Sequence, residues 1–267
     1  MIYEIHEYKE SDVPWLRSLW LEAFGDEPSL TDTFFELLPS MGVGLVAEFY
    51  GELFGAAYVL YTELHSPGRP PKKVAYIYGV AVDKQAQGQG IGAELVRACM
   101  RYARMHGADI CCTLPAEPSL YGWYAKSCGL VPVSFCALEE IPLSDGGAEI
   151  QELYADEYSY RRIDLLKGKP YISLYYDWLR FQEAIFKTYA GGFYAYKGGI
   201  ACGYLDGDTL MIKEALNDAP EFIPALCRKL GAKKAVVRRA RSEGQPYIAA
   251  FEENAYPPDT EWNLSLD

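Results

Sequence analysis

The clearest pattern along the chain is a run that is apolar on both faces. In residues 74–82 (VAYIYGVAV), alternation places Val74, Tyr76, Tyr78, Val80 and Val82 on one side and Ala75, Ile77, Gly79 and Ala81 on the other. A strand with no polar face is a buried, central one. Glycine inside a strand marks a bulge or a close backbone approach, so Gly79 is the expected bulge position. Upstream, residues 11–24 read as a capped amphipathic helix with Val13, Leu16, Leu19 and Phe24 on one face, and residues 30–38 as a second helix. Residues 43–60 read as two strands joined at Tyr50, Gly51 and Glu52. Downstream, Leu95, Val96, Cys99, Met100 and Ala103 form a helical stripe that Gly107 closes, and residues 108–114 read as the next strand.

Between the central strand and that helix lies residues 83–92 (DKQAQGQGIG), with glycines at alternate positions, Gly88, Gly90 and Gly92. Glycines let backbone amides approach a ligand with no Cβ in the way. The helix that opens there turns its free N–H groups and positive dipole end to the same spot, so the segment reads as an anion site for a phosphate or pyrophosphate. Two nucleotide motifs compete for it. Gly88-x-Gly90-x-x-Ala93 formally matches the dinucleotide fingerprint, but Asp83 to Gln87 intervene after the strand, and Asp109 precedes the next strand where an acidic residue should close it. A phosphate loop of the Gly-Lys-Ser/Thr kind is absent.

A third reading fits more of the chain. Gln87-x-x-Gly90-x-Gly92, after a strand ending Val80-Ala81-Val82, resembles motif A of the GCN5-related N-acetyltransferase (GNAT) superfamily. Residues 119–130 (SLYGWYAKSCGL) resemble its motif B, and the resemblance covers about residues 1–140. It implies an α/β fold, a mixed and mostly antiparallel twisted sheet flanked by helices, that uses acetyl-CoA as acyl donor and an amine as acceptor. It implies that the pantetheine arm pairs with the backbone of Val80 and Val82. The implied cofactor-binding set is Val80, Ala81, Val82, Gln87, Gly88, Gln89, Gly90, Ile91, Gly92 and Tyr121. Acetyl transfer to an amine needs an oxyanion donor, a proton for the leaving thiolate and a way to take the amine's proton. The resemblance assigns the thiolate's proton to Tyr124, with Tyr121, one turn earlier, in reserve.

The chain departs from the family pattern at three points. Four residues (Ala125, Lys126, Ser127 and Cys128) separate Tyr124 from Gly129, where the family has three, and a strict register would put Ala125 at the acid position. Glu117 stands where many relatives have asparagine. Tyr76 and Tyr78 stand where relatives often place a glutamate or histidine base, and tyrosine is a poor base at neutral pH. Water ordered by Tyr78, or a distant carboxylate such as Glu48, is left to serve. These departures keep a second function in view, a non-catalytic acyl-CoA-binding or sensing protein.

The second half repeats the order of elements. Residues 193–204 echo residues 46–58, Asp206 and Gly207 make a turn, and residues 209–216 read as a second central strand. Residues 219–230 follow as a helix closed by Gly231, and residues 235–239 as the next strand. The stretch matching the glycine loop is missing. The expected organisation is therefore a catalytic domain over 1–142, a linker at 143–147, and a degenerate copy over 148–267 that has lost the pyrophosphate site. Residues 154–166 and 171–187 read as helices of the copy, and residues 261–267 as its last strand. The aromatics of 171–187 fit core packing better than an acceptor pocket.

Composition narrows the rest. Of 267 residues half are hydrophobic, enough for full cores. No apolar run reaches membrane-spanning length, and the first residues read as a strand with an acidic flank, not a signal peptide. Seven cysteines, an odd count with no C-x-x-C, read as reduced thiols of a cytoplasmic protein. The three histidines are scattered, which leaves a metal site without support. A net charge of −12 argues against nucleic acid and suits a cationic amine, though acidity also serves solubility alone. Lys84, Arg97, Arg101 and Arg104 lie near the loop, where they fit either a phosphate or a solvated helix face. The chain is compatible with a homodimer.

Overall fold

The computed structural model describes residues 3–143, 149–251, 257 and 260–263, and divides into two compact units. The first comprises residues 1–64, 70–133 and 246–256; the second comprises 65–69, 134–245 and 257–267. The expected linker at 143–147 and the end of the expected last strand, 264–267, lie outside the described residues, apart from Leu143.

In the first unit β1 (Glu4–Glu7), α1 (Val13–Phe24) and α2 (Pro28–Met41) precede β2 (Gly42–Phe49) and β3 (Glu52–His65). Then come β4 (Lys72–Val82), α3 (Ile91–Met105), β5 (Ile110–Thr113), α4 (Leu120–Cys128) and β6 (Val131–Pro132). The second unit holds β7 (Phe135–Ile141), β8 (Gln151–Leu153), α5 (Ala155–Leu165), β9 (Tyr171–Ile172) and α6 (Tyr176–Thr188). It continues with β10 (Gly192–Tyr196), β11 (Gly199–Asp206), β12 (Thr209–Leu216), α7 (Phe222–Leu230), β13 (Lys234–Arg241) and β14 (Gln245–Pro246). Finally β15 (Ala249–Ala250) returns to the first unit.

The first sheet runs β1-β2-β3-β4-β5-β15-β6, and of its pairs with a recorded register only β4–β5 is parallel. Helices α1 and α2 pack on one face. Trp20 and Phe34 meet Tyr58 and Tyr78 there, with ring centroids 4.9–5.7 Å apart. Helices α3 and α4 cover the other face, where Leu95, Val96, Cys99 and Tyr124 join Ala75 and Ile77 in one core. The second sheet runs β14-β7-β13-β12-β11-β10-β8, and again the one parallel pair with a recorded register, β12–β13, involves the central strand. These are α/β units with mixed, mostly antiparallel sheets.

Two placements differ from the sequence reading. β7, expected within the first domain, pairs antiparallel with β13 and so belongs to the second sheet. Ala249 and Ala250, expected in the second domain, pair with Thr113 and Cys112 on one side and with Pro132 and Val131 on the other. The helix read from residue 171 begins only at Tyr176, because Tyr171 and Ile172 form β9 and Tyr175, the N-cap, is extended. Three aromatics of α6, Trp178, Phe181 and Phe186, are buried core residues, while Tyr176 at its start is exposed.

Candidate active site

β4 is bulged at the glycine that the sequence singles out. Ala56 opposes Ala81 and Tyr58 opposes Tyr78, which leaves Gly79 and Val80 together opposite Ala57. Gly79 has φ +57°, a left-handed conformation that side chains disfavour. The extra residue reverses the facing of everything after it. Val80 and Val82 therefore pack on the α3 side with Ala75 and Ile77, not on the side of Tyr76 and Tyr78 as plain alternation predicts.

The bulge coincides with a parting of strands. β4 and β5 pair from Val74–Ile110 to Tyr76–Cys112. β5 then ends at Thr113 while β4 continues to Val82, still held by β3 on its other edge. At the vertex the Thr113 hydroxyl donates to the Ile77 carbonyl at 2.9 Å. Beyond it, the backbone of residues 78–82 presents an edge that β5 does not cover. Backbone polar groups need partners, so this edge is prepared for an extended ligand.

The glycine loop follows directly. The Asp83 amide donates to Phe54 O at 2.9 Å, and the Asp83 carboxylate accepts from the Gln85 amide at 2.8 Å, which turns the chain out of the strand. Gln87 Nε2 donates to Val82 O at 3.2 Å. Gly88 and Gly90 adopt φ +76° and +82°, and a Cβ on either would meet no atom within 4 Å. α3 starts at Ile91, buried like Ala93, and its first internal bond runs from Glu94 N to Gly90 O. The amides of Ile91, Gly92 and Ala93 thus have no helical acceptor. A pocket of about 290 Å³ adjoins the loop, lined by Leu19, Glu22 and Phe24 of α1, Val80 and Val82 of β4, and Gln87. Open space over Gly88 and Gly90, orphan helix amides and an uncovered strand edge fit a pyrophosphate with an amide-bearing arm.

The tyrosines divide sharply. Tyr124 is 7% exposed in the core beneath α4, with the Thr113 side chain near its phenol. Burial raises it to about 12, against the lowering effect of Thr113, so it holds its proton at neutral pH. Tyr121 donates its hydroxyl to the carbonyls of Pro246 and Tyr247, 2.9 and 2.8 Å away. Tyr78 packs between Trp20, Phe34 and Tyr76. Tyr76 is buried and stacks on Tyr78, with ring centroids 5.8 Å apart.

Other candidates are engaged elsewhere. Glu48 lies on β2, separated from β4 by β3, and meets His6 at 3.2 Å. Glu117 accepts from the Ser119 hydroxyl at 3.3 Å beside the start of α4. Lys84 pairs with Glu22 at 2.9 Å, Arg97 and Arg101 share Glu94, and Arg104 lies 4.6 Å from the centre of the Phe251 ring. The arginine hydrogen bonds hold the Glu94 carboxyl below its ordinary range. All seven cysteines are buried free thiols. Among the described residues no group of acidic, histidine or cysteine side chains could hold a metal, and no helix is long and apolar enough to cross a membrane.

Sequence reasoning missed Thr113 and Glu22. Thr113 was detectable as the lone hydroxyl of a strand buried along its length. Glu22 carries no signal that separates it from other acidic residues on helix surfaces.

The second unit repeats the device and fills it. Cys202 opposes Glu214 while Gly203 opposes Ile212, so Lys213 is an extra residue in β12. β12 and β13 pair in parallel up to Ile212–Val237. Beyond that point Arg238 donates to Lys213 O at 2.8 Å and Arg239 to Ala215 O at 3.0 Å. Asp218 holds Arg239 through both its oxygens, at 2.9 and 2.5 Å.

The first unit thus combines a bulged central strand, parted from its parallel neighbour, with a helix capped by Gly90. Residues 4–125 match the family model of the acetyltransferase (GNAT) domain. Three solved structures share its fold. A conserved protein from Enterococcus faecalis V583 has TM-score 0.71 at 13% identity, over 94% of this chain and 72% of its own. The GCN5-related N-acetyltransferase from Anabaena variabilis ATCC 29413 has TM-score 0.69 at 12% identity, over 93% of this chain and 72% of its own. That from Kribbella flavida has TM-score 0.66 at 16% identity, over 93% and 71%. No curated protein matches the chain.

Proposed function

We propose that the first unit transfers an acetyl group from acetyl-CoA to an amine, directly and with a tyrosine as proton donor. The observation that carries this is the uncovered edge of β4 beyond the bulge, ending at the amides of Gly88 to Ala93. Amides of the pantetheine arm pair with the backbone of Val80 and Val82. The pyrophosphate lies on the loop, where Gln87, Gly88, Gln89, Gly90, Ile91 and Gly92 present backbone N–H groups. The amine nitrogen attacks the thioester carbon, the C–N bond forms as the C–S bond breaks, and Tyr124 gives its proton to the sulfur. The proton lost by the amine passes through water and, in net, restores the phenol.

The second unit is a copy of the same fold without the loop, its equivalent strand edge closed by Arg238 and Arg239. A non-catalytic acyl-CoA-binding protein is the second reading. It is favoured by one observation: Tyr76 is buried and Tyr78 is packed among aromatics, so β4 offers no base.

A thermal-shift titration with acetyl-CoA, with NAD and ATP as controls, tests the site. A ligand at about 100 times its Kd adds about 2.7 kcal/mol, so a shift of several degrees with acetyl-CoA alone is expected. No shift up to about 1 mM would remove the reading. CoA release with a broad amine panel, slowed by Tyr124→Phe, then separates enzyme from sensor.

A further inference from the structure

Among the described residues that line the pocket beside the glycine loop there is one cation and one carboxylate, and they hold each other. Lys84 Nζ lies 2.9 Å from Glu22 Oε1. The pair joins the last turn of α1 to the turn that leaves β4, so it links two sides of the pocket. Leu19 and Ala81, which line the same pocket, are buried. The Glu22 and Lys84 side chains are 43% and 70% exposed, which puts the pair at the pocket's solvent end.

The backbone beneath Lys84 is fixed. The Asp83 amide is held by Phe54 O, the Asp83 carboxylate accepts from the Gln85 amide, and Ala86 is buried. What is left to move is the side chain, a flexible four-carbon stem that ends in a compact charge with three protons. The other basic side chains near the loop are committed. Arg97 is held by Glu94 and the Ser127 carbonyl, Arg101 by Glu94, and Arg104 lies on the Phe251 ring. An exposed ion pair contributes little stability, so opening it is cheap, whereas an ammonium on a phosphate makes a strong charge-assisted bond.

We propose that Lys84 is the pyrophosphate-binding cation of the acetyl-CoA site and that it exchanges Glu22 for the ligand, the Lys84–Glu22 pair holding the ammonium at the solvent end until the anion arrives. This rests on the reading of the glycine loop as the pyrophosphate site. Exchange is the favourable direction, because a pyrophosphate carries more negative charge than one carboxylate and meets the loop amides as well. Glu22, once released, returns to water, which its exposure allows. Left on Lys84, it would compete with the ligand for the same charge.

Titration calorimetry of the full chain tests the exchange with two ligands, acetyl-CoA and acetyl-dephospho-CoA, which keeps the pyrophosphate and lacks the 3′-phosphate. Lys84→Gln is expected to weaken both about 10-fold, and Lys84→Arg to stay within about threefold of wild type. Glu22→Gln should tighten both by about two- to fivefold, since the competitor is gone. In the Lys84→Gln background the same change should matter by less than about 1.5-fold. Melting temperatures without ligand should agree within about 2 °C, so that an altered affinity is not a folding defect.

Wild-type affinity in Lys84→Gln overturns the proposal and leaves the loop reading intact. Glu22→Gln that fails to tighten binding overturns the exchange. Equal tightening with and without Lys84 does the same, because Glu22 then acts by plain repulsion of the ligand. A Lys84→Gln loss confined to acetyl-CoA moves the cation to the 3′-phosphate and overturns the pyrophosphate assignment. Absence of acetyl-CoA binding by the wild type removes the loop reading itself, and the proposal with it.

Discussion

The guanidinium of Arg239 lies on the carbonyl of Ala215, 3.0 Å away, on the part of β12 that follows its bulge and has left β13. In the first unit the corresponding stretch of β4 faces no such side chain from β5, which ends at Thr113. A guanidinium held through both nitrogens by Asp218 is a rigid plug, since two parallel charge-assisted bonds fix its plane. Calorimetric titration with acetyl-CoA should therefore give one site per chain, and Arg239→Ala should leave that number and its affinity unchanged. Two sites would mean that the second unit kept its cleft.

Two glycines of the loop do different work. Gly90 has φ +82°, so Gly90→Ala costs about 1 kcal/mol of strain and also puts a methyl group over the proposed anion site. Gly92 lies in the first turn of α3, and a Cβ there would rest in ordinary contact, 3.6 Å from Val82 Cγ2 and 3.8 Å from Trp123. Gly92→Ala should keep or slightly raise the stability, by up to about 1 kcal/mol, and retain the acetyl-CoA shift. Gly90→Ala should lose most of that shift. The opposite ranking would place the phosphate elsewhere.

That contrast reflects what the sequence makes legible. Local chemistry reads well: the strand of residues 74–82, the helix opening at Ile91, and a bulge at Gly79 each follow from residues close together in the chain. Pairing between distant segments does not. Ala249 and Ala250 have no pattern of their own, and only the gap between β5 and β6 makes them a strand. Arg238 and Arg239 look like the solvated end of a strand until the carbonyls of Lys213 and Ala215 are placed against them. The one-residue bulge is visible in composition, but its consequence, the reversal of Val80 and Val82, depends on the register with β3.

Glu261 gives the second unit a pH dependence. Burial, reinforced by the neighbouring Glu214 carboxylate, raises its carboxyl to about 7, while Arg162, Lys169 and Arg238 pull the other way. A carboxyl whose folded value exceeds its unfolded one binds protons more tightly in the native state. Its contribution is full below the unfolded value of about 4.3 and is lost as pH rises through about 7. The wild-type melting temperature should fall between pH 5.5 and 8 more steeply than that of Glu261→Gln, as scanning calorimetry at a series of buffers would record. Parallel curves would mean that Glu261 titrates as an ordinary surface carboxylate.

Gly79 ties the fold to the chemistry, and its replacement should damage both. Its φ of +57° alone disfavours any side chain, and a Cβ would also sit 2.9 Å from Tyr58 Cδ2 and 3.0 Å from Trp20 Cζ3. Both rings are buried and packed against Phe34, so they have no room to yield. Strain and overpacking together predict a loss of roughly 2–4 kcal/mol for Gly79→Ala. Gly51, with φ +84° and no atom within 4 Å of its Cβ position, carries the strain without the crowding. Gly51→Ala should therefore cost only about 1 kcal/mol and leave acetyl-CoA binding intact. If Gly79→Ala relieves itself by straightening β4, one residue of register is lost and Val80 and Val82 turn away from the α3 side. The edge proposed to hold the pantetheine arm then presents its amides in the wrong direction, and the acetyl-CoA thermal shift should vanish along with the stability. Gly79→Ala with the stability of Gly51→Ala and an unchanged shift would show that neither the bulge nor the facing it imposes is needed for the ligand.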